Sequence, residues 1–152
     1  MKKHAILSLM PVLALVLLAG CVTGNKMTDE EQVMQQTKAF VADVLAVNAD
    51  NILNYVSEDF SHREVPTKAR LAEYIQEARD KGQIEELPEM IKDYDGQIDL
   101  AEAVVTMDKE KGTASVYPID ASASIGSVSA ELIFKKDPDK VWRIVEVNID
   151  GI

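Results

Sequence analysis

Cysteine and histidine are nearly absent from this sequence of 152 residues, which contains one cysteine and two histidines. A single thiol cannot close an internal disulfide. The small number of cysteine and histidine residues also argues against a structural zinc site, which is usually built from these residues. We find no glycine-rich phosphate loop, no Gly-x-Ser-x-Gly motif and no cysteine–histidine pair placed for nucleophilic catalysis. The sequence therefore lacks the motifs by which several large classes of enzyme are identified.

Basic residues are also scarce, with 16 Lys and Arg against 26 Asp and Glu and a formal net charge of -10 at pH 7. Two of those basic residues, Lys2 and Lys3, lie in the first 20 residues, so a chain without that segment would be more acidic still, at -12. Strong negative charge disfavours nucleic acid and anionic membrane surfaces as partners. We therefore expect no nucleic-acid partner.

The longest apolar run lies at the amino terminus. Lys2 and Lys3 precede an uncharged run over residues 5–20, which Pro11 interrupts. The run is short for a transmembrane helix, which needs roughly 20 apolar residues to cross a bilayer. A positive start, an apolar stretch and small residues before a break predict a cleaved secretory signal peptide over residues 1–20.

The end of this run, Leu18-Ala19-Gly20-Cys21, resembles the lipobox of bacterial lipoproteins. The resemblance implies cleavage before Cys21 and acylation of that cysteine, which would anchor the protein in a membrane through several acyl chains. Residues 21–27 would then be a tether that reaches about 20 Å when extended. Val22, where an aspartate would imply retention at the inner membrane, favours the periplasmic face of the outer membrane in a Gram-negative host.

Hydrophobic periodicity predicts helices followed by strands, as one domain over residues 28–152. A capping box formed by Thr28 and Glu31 opens the first helix, and Thr67 caps the third. Helices are expected at about 29–47, 51–56 and 67–82. Strands are expected at about 60–64, 90–94, 103–107, 113–117, 127–134 and 141–149. This order predicts an α+β fold with amino-terminal helices packed on one face of a curved, mainly antiparallel sheet.

Two stretches, the helix pair over residues 40–60 and the closing hairpin over residues 131–145, resemble the nuclear transport factor 2-like superfamily of cystatin-like α+β cones. The resemblance spans about residues 30–150. It implies a fold and not an activity, because this superfamily includes enzymes, binding modules and assembly domains.

Ketosteroid isomerase-like members of that superfamily use an Asp base together with a Tyr and a neutral Asp that donate to an oxyanion. Carried over by position, the tyrosine falls at Phe40, the base at Val65 and the neutral acid at Glu131. Phe40 has no hydroxyl and Val65 cannot accept a proton, so the resemblance does not imply this activity. A slip of one residue would place Glu64 at the position of the base.

Glu58, Asp59, His62 and Glu64 form a polar cluster that could hold a metal ion or supply an acid–base pair. A zinc site here would depend on carboxylates, because His62 would be the only histidine of the processed chain. A solvated loop is the simpler interpretation in so acidic a chain. We therefore expect no metal and no cofactor, and retain Asp59, Glu64 and Glu131 as candidate catalytic carboxylates.

Aromatic residues make up only 5% of the chain. Five of them could line a cavity inside the cone, where their polar groups would orient a ligand: Tyr55, Tyr74, Tyr94, Tyr117 and Trp142. The alternative is that they belong to the core and its rim, with their polar ends in water.

Three hypotheses for function follow. The first is a membrane-anchored periplasmic module without catalytic activity that binds a small apolar ligand or a protein. The second is an isomerase or hydrolase that uses one of the three candidate carboxylates. The third is a structural domain that forms a homodimer through the exposed face of its sheet.

Overall fold

The computed structural model describes residues 26–150. The predicted signal peptide, Cys21 and most of the predicted tether lie outside the described residues. The helices are α1 (Asp29–Leu45), α2 (Ala49–Ile52) with a following 3-10 turn (Leu53–Tyr55), α3 (Lys68–Asp80) and α4 (Gln83–Asp93). The strands are β1 (Gln97–Asp99), β2 (Val104–Asp108), β3 (Thr113–Ala123), β4 (Gly126–Lys136) and β5 (Trp142–Asp150). None of the helices within residues 26–150 is long and apolar enough to span a membrane.

The five strands form one antiparallel sheet in the order β1-β3-β4-β5, with β2 also paired to β3. Alternate residues of β3, β4 and β5 point towards the helices and are buried there with residues of α1. This core consists of Val33, Val41, Val56, Phe60, Ala114, Val116, Ile119, Leu132, Phe134, Trp142 and Ile144. The structure confirms the predicted α+β fold with helices on one face of a curved antiparallel sheet.

The capping box predicted at the start of α1 is present. The Glu31 N–H donates to the Thr28 hydroxyl at 3.2 Å, and the Thr28 N–H donates to the Glu31 carboxylate at 2.8 Å. The helix buries Val33, Thr37 and Val41, which share one face because they are spaced by four residues. It ends at Leu45, two residues earlier than predicted.

Two predicted strands are wrong. Residues 60–64 form an irregular loop in which the His62 N–H donates to the Val65 carbonyl, at 3.2 Å, and closes a turn. Residues 90–94 lie at the end of α4. Pro88 lies inside this helix, although proline in a helix interior removes a hydrogen bond and normally marks a break.

Strand β3 is longer than predicted. It continues beyond Tyr117 through Pro118 to Ala123. The register against β4 shifts between Val116 and Ile119, so the proline lies at an irregularity of the ladder, where its missing N–H is tolerated. The extension gives β3 enough length to pair with both β1 and β2.

The amino-terminal end of α1 is fastened to the sheet through Asp29. Its carboxylate accepts hydrogen bonds from the Lys136 ammonium and, at 3.1 Å, from the Trp142 indole N–H. These bonds favour the ionised carboxylate and hold the pKa of Asp29 below its ordinary value of 3.8, with the Lys136 bond as the larger cause.

We therefore predict that Asp29 makes the fold acid-sensitive. A carboxyl group whose pKa is lower in the folded state stabilises the fold above its unfolded pKa, and this stabilisation is lost as the pH falls through the folded pKa. Between neutral pH and about pH 3, the unfolding free energy of the wild type should fall more than that of Asp29→Asn. Urea titrations followed by the fluorescence of Trp142, the only tryptophan, would measure the difference. Equal losses in the two proteins would contradict the assignment.

Candidate functional site

The candidate site is an open groove at the outer edge of β5, which we call the β5-edge groove. The volume of this groove is about 920 Å³. One wall is the loop that carries Asp59 and residues 61–64, and the other is formed by residues 145–149 of β5.

The loop wall is held to β5 by backbone hydrogen bonds. The Ser57 N–H donates to the Ile144 carbonyl and the Ser61 N–H donates to the Val145 carbonyl, each at 2.9 Å. Val56 forms a parallel bridge with Ile144. Phe60, only 7% exposed, anchors the loop in the core. The loop therefore runs beside the first half of β5 and leaves the second half open.

A network of polar side chains fixes the base of this loop. Ser57, only 2% exposed, donates its hydroxyl to Asp137 at 2.7 Å. The Arg143 guanidinium donates to Asp137 at 3.0 Å and makes two bonds to Asp139, at 2.9 and 2.8 Å. Its Nε donates to the Asn54 carbonyl at 3.2 Å. The network joins the loop to the turn between β4 and β5, and Arg143 lowers the pKa of Asp139.

The three candidate catalytic carboxylates are only partly brought together. Asp59 and Glu64 are both exposed and line the β5-edge groove. Asp59 accepts a hydrogen bond from the Lys135 ammonium at 2.6 Å. Glu131 lies on the outer face of the sheet, where it accepts a hydrogen bond from the Asn148 amide at 3.1 Å. Each of the three carboxylates is therefore accessible to water.

The structure separates the positions carried over from the ketosteroid isomerase-like site. Phe40 and Val65 pack against the core on the inner side of the sheet. Glu131 points to the opposite face, because its neighbour Leu132 is buried at 3% exposure and side chains alternate along a strand. The three positions do not converge on one cavity.

The five candidate aromatic residues lie in different surroundings. Tyr55 donates its hydroxyl to Asp43 at 2.6 Å, and Trp142 is buried beside Asp29. Tyr74 lies under the Arg70 guanidinium on α3. Tyr94 caps the end of α4, and Tyr117 is exposed on β3. The five side chains therefore lie in separate parts of the fold, and their role in binding a ligand stays a prediction.

Charged groups are kept at the surface. Among residues 26–150, the buried polar side chains are Thr37 and Ser57, and neither carries a charge. Members of the polar cluster in the loop bind to different groups. Glu58 forms an ion pair with Lys68 at 2.8 Å, and His62 Nδ1 accepts a hydrogen bond from the Glu64 N–H at 3.2 Å. Within the described part of the chain, no three acidic, histidine or cysteine side chains are grouped so that they could hold a metal ion.

Sequence reasoning found Asp59, His62 and Glu64 as a polar loop but missed the groove and the network beneath it. Ser57 and Asp137 are 80 positions apart in the chain, so no local pattern connects them. The Asp137-Pro138-Asp139 turn followed by Arg143 was the available signal, because this spacing lets one guanidinium reach both carboxylates.

No protein-family model matches the sequence, and no curated protein matches it significantly. Solved structures do resemble the fold. A nuclear transport factor 2-like protein with a cystatin-like fold from Novosphingobium aromaticivorans is 16% identical, with a TM-score of 0.55, over 97% of this chain and 94% of that one. A protein from Parabacteroides distasonis, provisionally named a ketosteroid isomerase, is 14% identical, with a TM-score of 0.56, over 82% and 89%.

The CaMKII hub from S. rosetta is 13% identical, with a TM-score of 0.54, over 84% of this chain and 99% of that one. At such identities the likeness establishes the fold alone. The chain therefore has a nuclear transport factor 2-like, cystatin-like fold, which these structures show in proteins with different names and roles.

Proposed function

We propose that this chain is a lipid-anchored protein of the cell envelope, held at the periplasmic face of the outer membrane, whose domain binds another protein at the β5-edge groove without catalysis. The proposal rests on one observation: the interior of the domain is packed, whereas its surface carries an open groove. The described core is filled with apolar side chains and contains no charged group, whereas an open groove of about 920 Å³ lies on the surface.

The filled core counts against the hypotheses of an internal ligand and of an enzyme. A small apolar ligand needs a concave, largely enclosed pocket, and the inner face of the sheet is instead packed against α1. An acid–base enzyme holds its catalytic carboxyl group beside the substrate in a cleft or pocket. Glu131 instead lies on the outer face, hydrogen-bonded to Asn148.

The course of the chain supports the anchoring half of the proposal. Lipid on Cys21 would join the domain just before α1, whose first residue, Asp29, is fastened to Lys136 and Trp142. Trp142 begins β5, and the open half of the groove lies towards the other end of that strand, near Ile149. A short tether would thus hold the start of β5 near the membrane and leave the groove accessible from the periplasm.

One experiment in the host tests both halves. Full-length chain with a photoreactive amino acid at His62, in the groove, or at the exposed Glu102 is expressed in cells fed with a palmitate analogue. We expect palmitate labelling that Cys21→Ser abolishes, and a protein adduct at His62 that is absent at Glu102. Labelling of Cys21→Ser would refute the anchor. Adducts that are absent from both positions, or equal at both, would refute binding at the groove.

A further inference from the structure

The outer edge of β5 is open beyond Val145. Within residues 26–150, β5 pairs with β4 on one side, and on the other side the loop wall bonds to Ile144 and Val145. The Val145 carbonyl points outward, because it accepts the Ser61 N–H. The Ile144 carbonyl also points outward, and Ile144 lies opposite Phe134 of β4. Backbone direction alternates along β4, so Val147 and Ile149, which lie opposite Leu132 and Ala130, likewise have their N–H and C=O groups on the outer edge. An edge with such free groups is a template for another strand.

The side chains of β5 beside this edge are apolar on one face of the sheet and mainly acidic on the other. Val147 packs partly against the core, and Ile149 follows it on the same face with 52% exposure. Glu146, Asn148 and Asp150 are exposed on the other face. A strand added here would therefore meet an apolar face on one side and an acidic face on the other.

Arg63 also lines the groove, from the loop wall. The two basic residues on neighbouring positions of the sheet are engaged by other carboxylates. Lys135 is paired with Asp59 at 2.6 Å, and Arg143 is held by Asp137 and Asp139. Glu146 and Asp150 stand opposite Ile133 and Ser129 of β4, neither of which is basic. Lysine or arginine side chains of an added strand would complement these carboxylates, since opposite charges on paired strands are favourable.

A second copy of this chain fits the edge poorly. If two β5 edges paired antiparallel about Asn148, Glu146 of each copy would lie opposite Asp150 of the other. Like charges placed opposite each other destabilise a strand pair. The two acidic residues thus disfavour self-association while leaving the edge open to a basic strand.

We propose that the β5 edge takes up an extended segment of a partner protein in which apolar and basic residues alternate, by adding it as a strand beside Val147 and Ile149. This inference rests on the proposed function, since it names the kind of partner that the β5-edge groove receives. The backbone of β5 would supply hydrogen bonds, and the alternation of its side chains would supply specificity.

Peptide binding to the full chain, solubilised in detergent, tests the inference. The probe is a peptide of alternating lysine and valine whose two termini are capped. The first control, the block peptide, has the same composition but groups its lysines and its valines in two separate blocks. The second control is a peptide of alternating glutamate and valine. We expect the alternating basic peptide to bind about tenfold more tightly than the block peptide. It should also slow hydrogen exchange at the Val147 and Ile149 amides. Equal binding of the two lysine peptides would overturn the inference.

Two variants separate backbone pairing from charge. Ile149→Pro removes an outward N–H and should weaken binding by at least about fivefold. The double variant Glu146→Lys/Asp150→Lys should prefer the glutamate peptide. Its matched control, Glu85→Lys/Glu89→Lys, makes the same charge change on α4 and should keep the preference of the wild type. A reversal in both double variants, or in neither, would overturn the inference.

The exchange measurement also identifies other occupants. If Val147 and Ile149 are protected before peptide is added, the edge is already covered, and the inference is wrong. Protection that falls on dilution would indicate a second copy, and protection that does not would indicate a segment of the same chain. If the peptides do not bind but the His62 adduct still forms in cells, the proposed function is supported and binding by strand addition is refuted. If the adduct is absent, the proposed function itself fails.

Discussion

Replacing Phe134 by alanine is expected to lower the free energy of unfolding by about 3–5 kcal/mol. Phe134 is 0% exposed and lies on the inner face of β4 between Ala114 of β3 and Ile144 of β5. Its removal leaves a cavity at the centre of the core. Because domains of this size are stable by only about 5–15 kcal/mol, this loss would be a large fraction of the total stability.

Urea unfolding followed by the fluorescence of Trp142 measures this loss. The matched control is Val104→Ala, at a side chain that is 62% exposed on β2, and it should change stability by less than about 0.5 kcal/mol. A similar small effect for Phe134→Ala would mean that the inner face of the sheet is not packed as described. It would also remove the main argument against a ligand inside the cone.

Replacing Arg143 by alanine is expected to cost about 2–3 kcal/mol of stability and to loosen the loop wall of the groove. The substitution leaves Asp137, whose side chain is only 14% exposed, without its cation. It also removes the hydrogen bond to the Asn54 carbonyl, which joins the start of the loop to the sheet. Hydrogen exchange at the Ser57 and Ser61 amides should therefore become faster.

The control for this prediction is Arg79→Ala. Arg79 also forms an ion pair with an aspartate, Asp50, at 2.8 Å, but the Asp50 side chain is 83% exposed. Exposed pairs of this kind contribute about 0–1 kcal/mol because water screens them. If the two arginine variants lost equal stability, or if exchange at Ser61 were unchanged in Arg143→Ala, the network would not hold the loop as we describe.

The acidic face of the sheet bears on the hypothesis of a homodimer. Asp120 of β3 pairs directly with Asp99 of β1, and Glu131 and Glu146 lie further along the same outer face. Two copies that joined through this face would bring like charges together. The hypothesis stays a prediction, and native mass spectrometry of the full chain would decide it.

Local patterns were reliable where one element satisfies its own requirements. The capping box of α1 needs only Thr28 and Glu31, so it could be read from the sequence. The hairpin of β4 and β5 follows from alternating apolar residues on either side of a turn at residues 137–140. Local patterns failed at α4, whose last residues had been predicted as a strand at 90–94 and whose interior contains Pro88.

The sequence by itself determined that helices precede strands, which residues form the apolar face of α1 and of each long strand, and the acidic character of the surface. These properties depend on the spacing of residues within a few positions of one another. The lipobox-like segment that ends at Cys21 predicts a lipid anchor, and this prediction also depends only on neighbouring residues. Tertiary structure alone decided that residues 56–61 run beside β5, that Ser57 meets Asp137, and that the edge beyond Val145 stays open. Those features join residues far apart in the chain, where packing and hydrogen-bond geometry, and not local preference, select the partner.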